Sequence, residues 1–296
     1  MNHAPASNGG LDGLSGVARS SEGAMEVSYV GKPPHRLFTV LHLPAGAAHT
    51  GLVFCPPLWG EMCYTYSRLA EWAKVLVQQG FAVLRFHPYG SGESDGTFRD
   101  FTLESACCDA VAVVEYLRRR TRVKRVGLFG MRFGGFIAVR AASVASPDFL
   151  LLWSPVVNLR QYARNLFRIR LAAELLHHQY AQVKATSEHM IRELKAGRSV
   201  DLLGYELSPE FYQQMSAQPS YPDEISAREV LWLDRPINQA EALAIIARWK
   251  ASGCSAVAEF PSVPEFWEQG SLSFIQELAE TSSRWLTRSV MQAERV

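Results

Sequence analysis

Val126-Gly-Leu-Phe-Gly130-Met131-Arg132-Phe133-Gly134-Gly135 is the stretch on which the reading of this chain turns. Val126–Phe129 is a short, nearly continuous apolar run, as expected of a strand buried on both faces. Glycines follow at 130, 134 and 135, and a helical pattern then runs to about Ser143. A strand that reverses this sharply into a helix passes close to its neighbours, so small residues are needed on both sides of the apex. The apex itself is Arg132.

The same strand–turn–helix unit recurs on either side. Upstream, Gly51–Cys55 reads as a buried strand that stops at Pro56-Pro57. Tyr64–Gln79 carries helical periodicity and Gly80 ends it. Phe81–Phe86 is the next strand, followed by the Gly-rich loop His87–Gly96 and a helix over Leu103–Arg120. Met25–Val30 and Arg36–Leu43 read as earlier strands joined by a Gly-Lys-Pro-Pro turn. Downstream, Phe149–Trp153 is a strand, and the alternation then breaks for some 70 residues. Asn158–Gln179 and Gln182–Lys195 look helical and Asp201–Pro222 is mixed. Alternation returns with strands Val230–Leu233 and Ala256–Phe260 and helices over Ala240–Lys250 and Leu272–Thr287. Alternating strands and helices with short connections imply an α/β fold, a mostly parallel doubly wound sheet. We read 1–23 as a disordered arm, 24–157 and 223–296 as the core, and 158–222 as a helical cap insertion.

Composition narrows the functional classes. In 296 residues, 30 Lys+Arg against 29 Asp+Glu give a net charge of +1, which removes the electrostatic case for a nucleic-acid partner. No apolar stretch is long enough for a transmembrane segment, and the N-terminus shows no signal pattern. The five cysteines (Cys55, Cys63, Cys107, Cys108 and Cys254) have no metal-like spacing, so we expect reduced thiols, a cytoplasmic location, no metal and no cofactor.

Gly130-Met-Arg-Phe-Gly134 has the context of the Gly-x-Ser-x-Gly nucleophile elbow of α/β-hydrolases, with both glycines in place. An arginine cannot serve as the acyl-accepting nucleophile, because its guanidinium stays protonated. An elbow serine also needs an imidazole, which in this fold arrives after the last strand. The last of the eight histidines is His189, and the corresponding loop reads Ser262-Val-Pro-Glu265-Phe-Trp267. Asp234 ends the penultimate strand, where such folds commonly keep their acid. A buried guanidinium needs a partner, so Arg132 is expected to pair with Asp234 or Glu265 unless Asp234 is simply a turn residue.

The runs Phe54-Cys-Pro-Pro-Leu-Trp-Gly-Glu61-Met62 and His87-Pro-Tyr-Gly-Ser-Gly-Glu-Ser94 fit the oxyanion loop and the following loop of α/β-hydrolases. More specifically, the chain resembles the exosortase A system-associated hydrolase 2 family of bacteria over roughly residues 50–270. The elbow, Leu152-Trp-Ser-Pro-Val-Val157, Arg168-Ile-Arg-Leu-Ala-Ala173, Gly204-Tyr-Glu-Leu-Ser-Pro209 and Pro264-Glu-Phe-Trp267 carry that resemblance. It implies an α/β-hydrolase fold, an arginine at the elbow apex as a family trait, and a link to exopolysaccharide production and protein sorting at the envelope. His87, where many α/β-hydrolases have Asp, reads either as a loop anchor or as a site residue.

A guanidinium at a helix N-terminus beside an oxyanion loop would make a carboxylate or phosphate site. We therefore expect Arg132 to head a pocket for a small anionic or acyl-type ligand, flanked by Met131 and Phe133. Pro57, Leu58, Glu61, Tyr64, Asp234, Glu265 and Trp267 are the expected lining. Two alternatives stay open. One is an enzyme of different chemistry, with Ser154, Cys55 or Cys63 as nucleophile, or with paired acids such as Glu61 and Glu265. The other is an interaction scaffold that presents the apolar and basic insertion (Leu166, Phe167, Ile169, Leu171 and Leu175 with Arg160, Arg164, Arg168 and Arg170) to a protein partner or membrane face.

Overall fold

The computed structural model describes residues 16–20, 23–176, 186–217, 221–267 and 274–291. Strands β2 (Gly23–Lys32), β3 (His35–Pro44), β4 (Thr50–Cys55) and β5 (Phe81–Phe86) are followed by β6 (Arg125–Met131) and β7 (Phe149–Trp153), close to the sequence reading. Together with β1 (Gly16–Ser20), β10 (Glu229–Leu233) and β11 (Ser255–Glu259) they form one sheet in the order β1-β2-β3-β5-β4-β6-β7-β10-β11. The strands from β5 across to β11 pair parallel, while β1, β2 and β3 form an antiparallel edge. Every residue of β4 and β7 is buried, which accounts for their uninterrupted apolar character.

One part of the expected arm differs. Gly16–Ser20 is a strand, paired antiparallel with Gly23–Val27. The open edge of β2 offers unpaired backbone groups to any adjacent chain, whatever its side chains, so a composition reading misses it. The rest of that arm, the expected helix end at Gln179, the helix start at Gln182 and Leu272 lie outside the described residues.

Helices α1 (Trp59–Gln78) and α8 (Phe274–Trp285) bury Leu69, Trp72, Leu76, Ile275 and Leu278 against one face of the sheet. On the other face lie α2 (Leu103–Thr121), α3 (Phe133–Ala145) and α7 (Gln239–Ala251). Between β7 and β10 the chain forms α4 (Leu159–Leu176), α5 (Ser187–Lys195), the hairpin β8–β9 (Val200–Leu202, Tyr205–Leu207) and α6 (Pro209–Ala217). This insertion sits on the core through aromatic contacts: Phe211 meets Phe101 at 5.0 Å and Phe133 at 5.8 Å. It leaves from the carboxyl end of β7, the end of a parallel sheet where ligands bind.

Candidate functional site

The register aligns the carboxyl ends of four adjacent strands, pairing Cys55 with Gly130, Met131 with Trp153, and Trp153 with Leu233. Arg132 stands just beyond this row with φ 54° and ψ −122°, a backbone conformation that favours glycine. The surroundings impose it. The Arg132 N–H donates to the Trp153 carbonyl at 3.1 Å, and its carbonyl accepts from Val156 N–H at 3.0 Å and Gly135 N–H at 3.0 Å. The glycine requirement is steric: a Cβ on Gly134 would lie 2.1 Å from the Cys55 carbonyl oxygen.

The guanidinium is held from several directions. Nε donates to Glu61 Oε1 at 3.1 Å and Nη1 to the Ser154 carbonyl at 3.3 Å. The Trp267 ring lies 3.8 Å from Cζ, and the Tyr162 ring 5.8 Å. Tyr162, on α4, donates its hydroxyl to Glu61 Oε2 at 3.0 Å. A single carboxylate thus joins the elbow to the insertion. The Arg132 and Glu61 side chains are each 16% exposed. Burial pushes the Glu61 carboxyl above its ordinary range, against the pull of Arg132 and the Tyr162 hydroxyl. Burial also works against the Arg132 charge, but Glu61, Tyr162 and Asp234 together hold the guanidinium above its ordinary value.

The expected partners of Arg132 are engaged elsewhere. Asp234 Oδ1 accepts from Ser154 Oγ at 2.9 Å, from Asn238 Nδ2 at 2.9 Å and from the Arg235 N–H at 2.8 Å. Its Oδ2 accepts from Trp232 Nε1 at 3.1 Å. With four donors, Asp234 is the turn residue of the alternative reading. Glu265 pairs with Arg235 Nη2 at 3.0 Å, and Arg235 lies 5.2 Å from the Trp267 ring. The ion pair therefore forms with Glu61, which the sequence marked as lining and as one of a candidate acid pair, but not as the partner of Arg132. Helix α1 starts at Trp59, a full turn before the periodic pattern at Tyr64, and this puts Glu61 in its first turn. An acid is favoured there by the helix dipole.

The remaining predicted residues separate. Tyr64 is 42% exposed, and Met131 is wholly buried in the core on the α1 side. Pro57, Leu58 and Phe133 line an apolar cavity that neither Arg132 nor Glu61 lines. Ser154 is 1% exposed and its hydroxyl is committed to Asp234. Cys55 is buried, which pushes its thiol far up, away from the nucleophilic thiolate. His87 is the loop anchor: its Nδ1 accepts from Glu93 N–H at 3.0 Å, and burial lowers its pKa. Tyr162 was missed. Its signal is the stripe Leu159, Tyr162, Ala163, Leu166 and Phe167, whose helical spacing is that of the buried face of α4. No cluster of three metal-ligating side chains occurs among the described residues, and none of their helices is long and apolar enough to cross a membrane.

This sheet order, with a sharp elbow after β6 and an insertion after β7, defines an α/β-hydrolase fold. The chain belongs to the serine aminopeptidase, S33 family, whose profile matches residues 60–233. Among solved structures it is similar to Est1E from Butyrivibrio proteoclasticus (ferulic acid bound), with a TM-score of 0.62 and 17% identity over 88% of this chain and 100% of that one. It is also similar to an α/β serine hydrolase without lid from Xanthomonas campestris, with a TM-score of 0.52 and 16% identity over 88% and 94% of the two chains. No curated protein matches it.

Proposed function

We propose that this protein is a family member without Ser-His chemistry that binds a small acidic ligand at Arg132. The ligand class is a carboxylate or phosphate borne on an acyl or glycosyl group. The reading rests on the open edge of the guanidinium. Nε and Nη1 are engaged, whereas Nη2 has no hydrogen-bond partner among the described residues. Arg132 is itself the N-cap residue of α3, and helix N-termini favour anions. The residues expected of a hydrolytic centre are taken up otherwise: the apex is arginine, and Trp267 covers it in the loop where a histidine base would stand. The resemblance to the exosortase-associated family makes exopolysaccharide intermediates the natural source of such ligands, and a cytoplasmic site fits free thiols at all five cysteines.

Calorimetric titration with inorganic phosphate and with hexanoate tests this. Arg132→Met, which removes the charge but keeps an unbranched side chain, should weaken binding at least about tenfold. Glu61→Gln should strengthen it, because the internal carboxylate competes for the same charge. Affinity unchanged in Arg132→Met would overturn the reading.

One observation favours a second reading. Glu61 combines a raised pKa with a hydroxyl partner, the pairing of a general acid–base. Turnover of short acyl esters or thioesters that vanishes in Glu61→Gln would select it over ligand binding alone.

A further inference from the structure

A cavity of about 210 Å³ lies beside the elbow, lined by Phe133 but by neither Arg132 nor Glu61. Its walls are aromatic. Trp59 and Tyr205 stack at 5.5 Å, Trp59 meets Phe98 edge-on at 5.3 Å, and Phe98 stacks on Phe101 at 5.1 Å. Phe133 and Ala106 close the inner side. Of the polar side chains on its lining, Ser91, Cys63 and Tyr205 are engaged, whereas the indole N–H of Trp59 is buried without a hydrogen-bond partner among the described residues. Ser91 Oγ donates to the Pro88 carbonyl at 3.1 Å, and the Cys63 thiol lies 3.9 Å from the Tyr205 hydroxyl. No charged side chain lines it.

We infer that this chamber is a second binding site, independent of Arg132, for one neutral aromatic ring. An ion would find no charged partner there, only the indole N–H of Trp59, and burying it without a counter-charge is costly. An apolar cavity of about 150 Å³ is already large enough to hold benzene and stays dry when empty. Aromatic walls in both stacked and edge-on attitudes match the two preferred geometries of a ring contact. Cys63 and Gly92 are exposed residues of the lining, and Cys63 on α1 lies against Tyr205 of the insertion. The insertion thus helps to form this site as well as the elbow site.

The experiment is a ¹⁹F NMR titration of the full chain with fluorobenzene. Ala106→Leu fills the chamber from α2, and Cys63→Trp crowds it from an exposed lining position on α1. Circular dichroism and thermal melting confirm that each variant is folded. We expect saturable binding to the wild type, weakened at least about tenfold in both variants and unchanged in Arg132→Met. No saturable binding, or equal affinity in both variants, would overturn the inference. So would loss in Arg132→Met alone, which would place the ring at the elbow. The ring site can fail while phosphate and hexanoate still bind, and the reverse, so the two proposals are tested separately.

Discussion

Replacing Arg132 by alanine and by glycine separates what the side chain contributes from what its backbone costs. Both variants lose the Glu61 and Ser154 hydrogen bonds and the stack on Trp267. Breaking a fully buried pair costs about 3–5 kcal/mol and an exposed one about 1 or less, so partners that are 16% exposed suggest about 2–3 kcal/mol. A partly desolvated cation–π contact adds about 1–2 kcal/mol. Alanine should therefore cost about 3–5 kcal/mol. Glycine loses the same contacts but relieves a positive φ worth about 1–3 kcal/mol, less about 0.5–1 for its greater freedom when unfolded. It should exceed alanine by about 1 kcal/mol. The alanine deficit should also depend on pH. Without Arg132, the Glu61 pKa rises further above its unfolded value of about 4.3. A raised carboxyl pKa contributes stability below the unfolded value and loses it as pH rises through the folded one. Urea denaturation at about pH 5 and about pH 8 should thus show the larger deficit at the higher pH. A deficit below about 1 kcal/mol at the higher pH, or one equal at both, would refute the view that this ion pair holds the elbow.

Three further outcomes follow from the same geometry. Arg132→Ser rebuilds the Gly-x-Ser-x-Gly turn but supplies no imidazole, so hydrolysis of nitrophenyl acetate should not exceed that of Arg132→Ala; a rise of about tenfold or more would reveal another base. Gly134→Ala drives a Cβ to 2.1 Å from the Cys55 carbonyl and 2.6 Å from that of Pro56, both backbone atoms, and should cost about 3 kcal/mol in urea denaturation; equal stability would show that the elbow can spread. His42, 4% exposed beside Arg85, is lowered by burial, with help from Arg85 and Lys74, from 6.5 to about 4. A depressed histidine gives stability that is present above the unfolded pKa and lost as pH falls through the folded one, about 3 kcal/mol between about pH 6.5 and 4. His42→Gln should flatten that part of the stability–pH curve, and an unchanged slope would assign it to other groups.

What was legible in the sequence is what repeats locally. The buried strands are continuous apolar runs, and the elbow announces itself by glycines that a Cβ would make impossible. The insertion shows as a break in the alternation. The site was only half legible, because its contacts join distant segments. Asp234 and Glu265 were natural partners for Arg132 since both follow strand ends, yet four local donors satisfy Asp234 and the nearby Arg235 takes Glu265. Glu61 depends on where α1 begins. Its pattern shows from Tyr64 onward, whereas the helix opens at Trp59, which itself holds a φ of 51°. Only the acid in that first turn hinted at the earlier start. Tyr162 could have been found by following the inward stripe of α4 instead of its exposed arginines.

The strained apex persists without serine for a reason that lies in the backbone. The turn is fixed from outside, by Trp153, Val156 and the approach of Gly134 to Cys55, so any residue at 132 is presented on the same bend. What changes with the residue is reach. A serine hydroxyl ends one bond beyond Cβ and can act only on what comes to it. An arginine extends to contact Glu61 on α1, the Ser154 carbonyl after β7, and Trp267 beyond β11. Through Glu61 it is also tied to Tyr162 on α4. The bend that presents a nucleophile in other members of the fold here carries a charged bridge between core and insertion. The anion proposed for the open Nη2 would compete electrostatically with Glu61, whose other oxygen holds Tyr162. Under the proposed function, ligand affinity and the hold on the insertion would be two readings of one charge balance, and Glu61→Gln should move both.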